Sequence, residues 1–596
     1  MMRREQTWQI DAPPERVWPY VSDTDAINRL AGTPPVTYAF DPQADGSVRV
    51  RGAMRNGPLT IRWDERPFAW SAPEYHDVER IFLNGPLRRF RARTELTARD
   101  GGTRVRTVCE LEGRGRLVEP FLPAIAARGF RGLDRAMARV AEELRASPDR
   151  PAPDDVPKRF APLVAAGFDR AIVARFARHL RDADDARVAR IRPFELADEL
   201  GVPRREMLRL CLAATRAGLL DLSWSVLCTS CGGPNAKLER LGDLGVARHC
   251  DACNIGFDPA FDRSVEVTFD AGPLGRKVDV PVYCMGGPGA GRHVVAQAAL
   301  APKSAVAFDV ALPEGQYVAR ALGASVLAFA SARGTDDGPL RVRVGSEIAG
   351  IPAEVASGRR AFAATNDLPH DVVLRIEKAE WPDTIATAAQ VTAIQEFRDL
   401  FSSDVLAPGV EVSIRTLAIL FTDVVGSTAM YRTGGDASAF RAVSDHFEAI
   451  RAVIAPRGGA IVKTIGDAVM AVFVDPKDCF DAAMLLDGAV GHLTCGDVPL
   501  RLRVGFHAGA CIAMRANDRL DYFGTTVNLA ARLQGTARAG EVAMSEADAL
   551  RPGIAEALAE MSPHRDEMVL KGIGQPITVV RVAAASGRSP LPASGP

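Results

Sequence analysis

Apolar positions recur with two different periods along these 596 residues, and the switches between periods mark the elements. Residues 7 to 10 alternate as a strand, and "APPE" opens a helix that puts Val17, Trp18 and Val21 on one face. In "RVRTVCELEG" the residues Val105, Thr107, Cys109 and Leu111 share one side of a further strand. A long helix follows, with Phe130, Leu133, Met137, Val140 and Leu144 at alternating spacings of three and four, a stripe that faces a core. Past the Pro/Asp-rich "SPDRPAPDDVP", the stretch "RPFELADELGVPRREMLRLCLAATRAGLL" predicts two helices around Gly201-Val202-Pro203. From Val265 to about Ile376, short strands alternate with Gly, Pro and Asp turns, as in a β-sandwich. Within it "GGPGAG" reads as a turn, because no capped helix follows to cradle a phosphate. A helix around 384 to 401 aligns Val391, Ile394, Phe397 and Phe401, either to pair with its copy or to pack on the domain that follows. The last third opens on "RTLAILFTDVVGSTAMY", an apolar strand ending at Asp423 and running through Gly426-Ser427-Thr428 into a helix, whose free N–H groups suit a polyphosphate. Asp436 starts the next helix, with Phe440, Val443, Phe447, Ile450 and Ile454 on its inner face. Then "VKTIGDAVMAVF", residues 462 to 473, reads as a hairpin with Asp467 at its turn.

Length requires several domains, since single cores stop growing near ~250 to 300 residues. A composition of 47% hydrophobic and 25% charged residues with a net charge of -1 excludes a disordered chain and a globally basic nucleic-acid binder. The charged start "MMRREQTWQIDAPPERVW" has no apolar run behind it, and no stretch approaches ~18 apolar residues, so a cytoplasmic protein without a membrane span is expected.

Ten cysteines are few for this length, and four form a C-x2-C-x18-C-x2-C pattern: Cys228, Cys231, Cys250 and Cys253. Two such knuckles close a four-sulfur tetrahedron, so one structural Zn2+ is expected, with His249 the less suitable substitute ligand. The six scattered cysteines read as small buried hydrophobes.

The first 147 residues, through "IDAPPERVWPYVSD" and their closing helix, resemble the START or polyketide-cyclase-like helix-grip fold, in which a curled sheet leaves an apolar cavity. That resemblance implies an apolar small-molecule ligand; the alternative is a filled core. The Gly201-Val202-Pro203 helical pair looks like a winged-helix unit. Arg204, Arg205 and Arg209 would then face phosphates, although such a pair serves equally as an adaptor.

Asp423 and Asp467, at the ends of strands, would hold two Mg2+ ions about 3.5 to 4 Å apart if the strands are neighbours. Five segments in order, "LFTDVVGST", "VKTIGDAVMAVF", "RVGFHAG", "DYFGTTVNLAARL" and "LKGIG", resemble the class III adenylate/guanylate cyclase catalytic domain over roughly 415 to 583. The resemblance implies a ferredoxin-like α/β unit working as a head-to-tail homodimer with ATP as substrate. Asp423 and Asp467 match its carboxylates for two Mg2+ or Mn2+ per active site. Lys463 and Asp521 match its purine-reading pair, Asn528 and Arg532 its ribose-orienting and transition-state residues, and Arg503 and Lys571 the cations on the triphosphate. Adenine presents an acceptor at N1 and a donor at N6, which a lysine and an aspartate complement; guanine reverses that edge. His507, embedded in "GFHAG", reads as structural.

The expected plan is a multidomain α+β chain: helix-grip domain 1–147, linker 148–157, winged-helix-like unit 158–225, zinc ribbon 226–260, sandwich-like domain 261–380, transmission helix and linker 381–412, cyclase domain 413–583 and disordered tail 584–596. The leading expectation is an adenylate cyclase regulated by the domains before it. A guanylate cyclase would replace Lys463 and Asp521, and a catalytically silent sensor or DNA-binding scaffold would lack the metal acids.

Overall fold

The computed structural model describes every residue except 44–46, 100, 146–155, 231, 246–247, 273–277, 279, 292, 325, 336, 381, 428–435, 496–497 and 586–596. Most of the expected linker and tail, Cys231, and the helix expected after Thr428 thus lie outside the described residues.

In the first domain an antiparallel sheet from Met2–Ile10 to Gly102–Gly113 curls around the helix Leu122–Arg145. The two periods explain this packing. Val105, Cys109 and Leu111 point inward from their strand, Phe130, Met137 and Val140 point inward from the helix, and all six are buried.

The sheet does not stop at the domain border. Ser71 and Trp70 pair with Ala296 and Gln297, so the sheet of the first domain runs on into the second half of the regulatory region. There it becomes one face of a sandwich whose other face is the sheet Ala305–Leu312, Gly358–Asn366, Leu340–Val344, Ile348–Ala349. Around "GGPGAG" the chain lies against the first domain: the Val282 carbonyl accepts from Val36 N–H, and Asp25 accepts from the amides of Tyr283 and Cys284.

The middle unit holds the helices Pro193–Leu200 and Arg204–Arg216 expected around Gly201, with a three-stranded sheet Pro234–Leu238, Leu220–Leu227, Val265–Ala271. The boundary at 260/261 therefore moves. Val265–Ala271 pairs with Leu220–Leu227 rather than with the sandwich, because its Val265, Val267 and Phe269 complete the core beneath the helices. Of the two uses open to its arginines, phosphate contact or an adaptor role, the contacts fit the adaptor: Arg204 bonds Asp198 and Asp383, Arg205 bonds Asp478 and the Pro456 carbonyl, and Arg209 bonds Glu396.

The helix expected over 384 to 401 is two short ones, Ala388–Thr392 and Gln395–Leu400. Thr387 and Gln390 form a capping box that starts the first, and an extended Ile394 separates them. Val391, Ile394 and Phe397 are buried within their own chain, Phe397 edge-on to Trp224 at 5.8 Å, so this face does not serve a coiled coil.

The C-terminal domain is an eight-stranded sheet ordered Gly459–Ile465, Ala468–Phe473, Val412–Val424, Leu502–Ala516, Glu541–Ser545, Pro576–Ala583, His564–Val569, with Arg519–Phe523 paired on the far part of Leu502–Ala516. Alternation along the central strand serves two cores. Ala418 and Leu420 pack under the helices Asp436–Ile454 and Pro476–Val490, while Leu417, Ile419 and Phe421 face the helix Thr525–Gln534 and the middle unit. One expected inward position fails: Phe440 is 70% exposed, because the inner stripe begins only at Val443.

Candidate active site

Asp423 closes the strand Val412–Val424, and Asp467 sits in the two-residue turn between Gly459–Ile465 and Ala468–Phe473. Gly466 takes a left-handed φ of 64°, which this tight hairpin requires. The strands are neighbours, so Asp467 reaches the end of the strand that carries Asp423: its Oδ2 accepts from the amide of Val424 at 3.3 Å. Asp423 lies opposite Arg503, whose Nε donates to its Oδ2 at 2.8 Å. Both carboxylates remain partly exposed. Two hard oxygen donors at one sheet end, with a cation already drawn to one of them, suit a divalent ion.

Lys463 and Asp521 lie 58 residues apart in sequence, yet Lys463 Nζ donates to Asp521 Oδ2 at 2.5 Å. Asp521 Oδ1 accepts from the amide of Tyr522 at 2.8 Å, which fixes the carboxylate. The helix Thr525–Gln534 starts four residues later and carries Asn528 and Arg532 on one face, both exposed. It is clamped to the long strand at each end. Thr526 Oγ1 donates to the Ala510 carbonyl at 2.5 Å, and Gly505 admits the far end, since a Cβ there would stand 2.1 Å from Gln534 N. Lys571 occupies an exposed turn before Pro576–Ala583.

One residue that touches this site lies outside the motifs. His446 is fully buried in the Asp436–Ile454 helix, with Nε2 3.2 Å from the Asp467 carbonyl and Nδ1 2.5 Å from that of Val443. Burial lowers its pKa. The available signal was a lone polar residue inside the stripe from Val443 to Ile450. His507, by contrast, belongs to a buried network away from these acids: its Nδ1 bonds Asp548 at 2.7 Å. Burial pushes the Asp548 carboxyl up, but hydrogen bonds from His507, Ser545 and Arg551 outweigh it and hold the pKa below its usual value.

In the middle unit the sulfurs of Cys228, Cys250 and Cys253 lie within 4.8 Å of one another, all buried. Three convergent thiols supply three of the four donors that a tetrahedral structural Zn2+ takes. His249 is half exposed and lies 4.0 Å from Asp251, on the other side of its strand, so it does not join them.

Residues 411–581 match the family model of the adenylate and guanylate cyclase catalytic domain, residues 1–145 that of polyketide cyclase/dehydrase and lipid transport, and residues 154–281 a family of unknown function. The chain thus ends in a class III cyclase catalytic domain and begins with a START-like one. Adenylate cyclase 2 of Rhizobium meliloti is 27% identical over 268 residues, covering 41% of this chain and 70% of that protein. An adenylate cyclase of Streptomyces coelicolor is 37% identical over 128 residues, 21% of this chain, which spans only 32% of its length. A solved adenylate cyclase of Trypanosoma brucei in its monomeric state aligns with 30% of this chain and 93% of its own at 25% identity and a TM-score of 0.27. No helix among the described residues is long and apolar enough to cross a membrane.

Proposed function

We propose that this protein is an adenylate cyclase that converts ATP to 3',5'-cyclic AMP and pyrophosphate at sites shared by two copies of the chain. The observation that carries the reading is the 2.5 Å contact between Lys463 and Asp521 beside the Asn528 and Arg532 helix. A lysine donor and a carboxylate acceptor set side by side complement N1 and the N6 amine of adenine. Either left unpaired against guanine would be penalised.

Asn528 orients the ribose, and Arg532 sets positive charge where the α-phosphate gains negative charge. The ribose 3'-oxygen bonds to the α-phosphorus as the bond to the β-phosphate oxygen breaks, and pyrophosphate leaves. Asp423 and Asp467 would hold divalent ions, which supply acidity to the 3'-hydroxyl and charge neutralisation at the phosphates. Arg503 and Lys571 hold the triphosphate. The homodimer reading is supported by Val425, Ile465 and Phe523, exposed by 44%, 54% and 60% beside Asp423, Lys463 and Asp521.

Cys228, Cys250 and Cys253, with Cys231, hold one structural zinc in this reading, and a site of reduced thiols suits a cytoplasmic protein. Metal analysis of the purified chain tests the zinc, with one ion per chain expected. The START-like domain takes an apolar small molecule that regulates the cyclase through residues 388–400.

The test is purified full-length protein with ATP or GTP and Mg2+ or Mn2+, beside Asp423→Ala and Asp467→Ala. Cyclic AMP should dominate, and each variant should be at least about 100-fold slower. Cyclic GMP as the main product, or undiminished activity in either variant, would overturn the reading.

A further inference from the structure

The strand that carries Lys463 is an edge of the eight-stranded sheet, and an edge leaves amides without a strand to bond. One of them, Ile461 N–H, donates to Gln395 Oε1 at 2.8 Å. Gln395 is 6% exposed and belongs to the second short helix upstream of the catalytic domain. Its orientation is fixed on both sides, since Nε2 donates to Asp399 at 3.0 Å and Asp399 pairs with Arg451. Just past Ile461 the register against the neighbouring strand shifts, and Lys463 is the residue that follows the shift.

The same helix holds the other half of the pair. Arg398 Nη1 donates to the Leu520 carbonyl at 3.1 Å, and its guanidinium lies 5.4 Å from the Tyr522 ring centre. Arg398 Nε donates to the Thr392 carbonyl at 2.9 Å, and the Thr392 hydroxyl meets the Tyr522 hydroxyl at 3.1 Å. Leu520 and Tyr522 flank Asp521, and Tyr522 supplies the amide that fixes its carboxylate. Both neighbours are buried.

We infer that Gln395 and Arg398 are positioning residues for the base-reading pair Lys463–Asp521, so that the link from the upstream domains sets how well adenine is told from guanine. The inference rests on the proposed adenylate cyclase reading. A displacement of this one short helix would change the lysine strand and the aspartate strand together, while Asp423 lies on a strand of its own and Asp467, in the turn past Ile465, is held by the amide of Val424.

The experiment uses the full chain with Gln395→Met, Arg398→Met and Arg398→Lys, and with Arg209→Ala as control, whose partner Glu396 is on the same helix but bonds neither base-reading strand. Steady-state kinetics with ATP and GTP, binding of non-hydrolysable ATP and GTP analogues, and thermal melts are read together. In Gln395→Met and Arg398→Met the KM for ATP should rise at least about fivefold with kcat within about twofold, and the ATP over GTP preference should fall at least about tenfold. Arg398→Lys should recover part of the preference, and Arg209→Ala should keep all of it. Unchanged preference in both Met variants overturns the inference, as does an equal fall in kcat for both nucleotides at constant preference. A parent chain that makes no cyclic product from either nucleotide sinks the proposed function instead. The inference then stands or falls on whether the Met variants lose the parent's preference for the adenine analogue.

Discussion

Arg503 stands directly across the strand pair from Asp423, and its Nε lies 2.8 Å from the carboxylate. The resemblance implied that this arginine holds the triphosphate; here it is the counter-ion of Asp423, the proposed metal acid. One side chain serves both only if it leaves Asp423 when nucleotide and metal arrive. Arg503→Ala should then raise the KM for ATP roughly tenfold. It should also lower the Mn2+ concentration for half-maximal rate, since the competitor for the carboxylate is gone. Kinetics over a grid of ATP and Mn2+ concentrations measures both.

Base choice should follow the donor and acceptor order of two side chains. Lys463→Glu with Asp521→Asn offers an acceptor where guanine carries its N1 donor and a donor where it carries O6. The GTP over ATP ratio of kcat/KM should rise at least about 100-fold relative to the parent. Lys463→Glu alone should be poor with both nucleotides, because two acids would then face each other.

The proposed sharing of sites between two copies makes a stoichiometric prediction. Asp467→Ala and Arg532→Ala should each be nearly inactive alone. In a mixed dimer both lesions fall in one site and leave the other intact. Equal mixing should therefore restore about a quarter of parental activity, half the dimers having one good site of two. No recovery in co-expressed, co-purified heterodimers would contradict the head-to-tail arrangement.

Stability should fall on the acid side through the START-like domain. His76 is 8% exposed and lies 6.3 Å from the Trp18 ring. Burial pushes its pKa down to about 4, only partly offset by Asp77. The folded chain holds the neutral ring while the unfolded chain takes up a proton near ~6.5. This contribution is intact above that pH, is lost progressively down to about 4 and is flat below, about 3 kcal/mol in all. His76→Phe should remove that slope, as urea denaturation at several pH values would show.

What was legible in the chain was local. The Asp467 turn, the apolar stripe of the Leu122–Arg145 helix and the four-residue step from Asn528 to Arg532 are set by neighbours in sequence, so period and turn chemistry reveal them. Partners chosen across the fold were not legible. Nothing near Val265 says that its strand will pair with Leu220–Leu227, nothing near Gln395 says that it will meet the amide of Ile461, and His446 is one polar letter in an apolar stripe. Phe440 shows the converse: a regular period runs one step past the end of the surface it fits.

The hydrogen bonds that join Ser71 and Trp70 to the Val294–Leu300 strand have a practical consequence. They are a seam, and cutting the gene before residue 150 would tear it. The remaining protein would present a raw β-edge to its neighbours and stick to them. A truncated chain would thus mimic damage rather than absence of signal, and the effect of an apolar guest is better sought by point substitution in the intact chain.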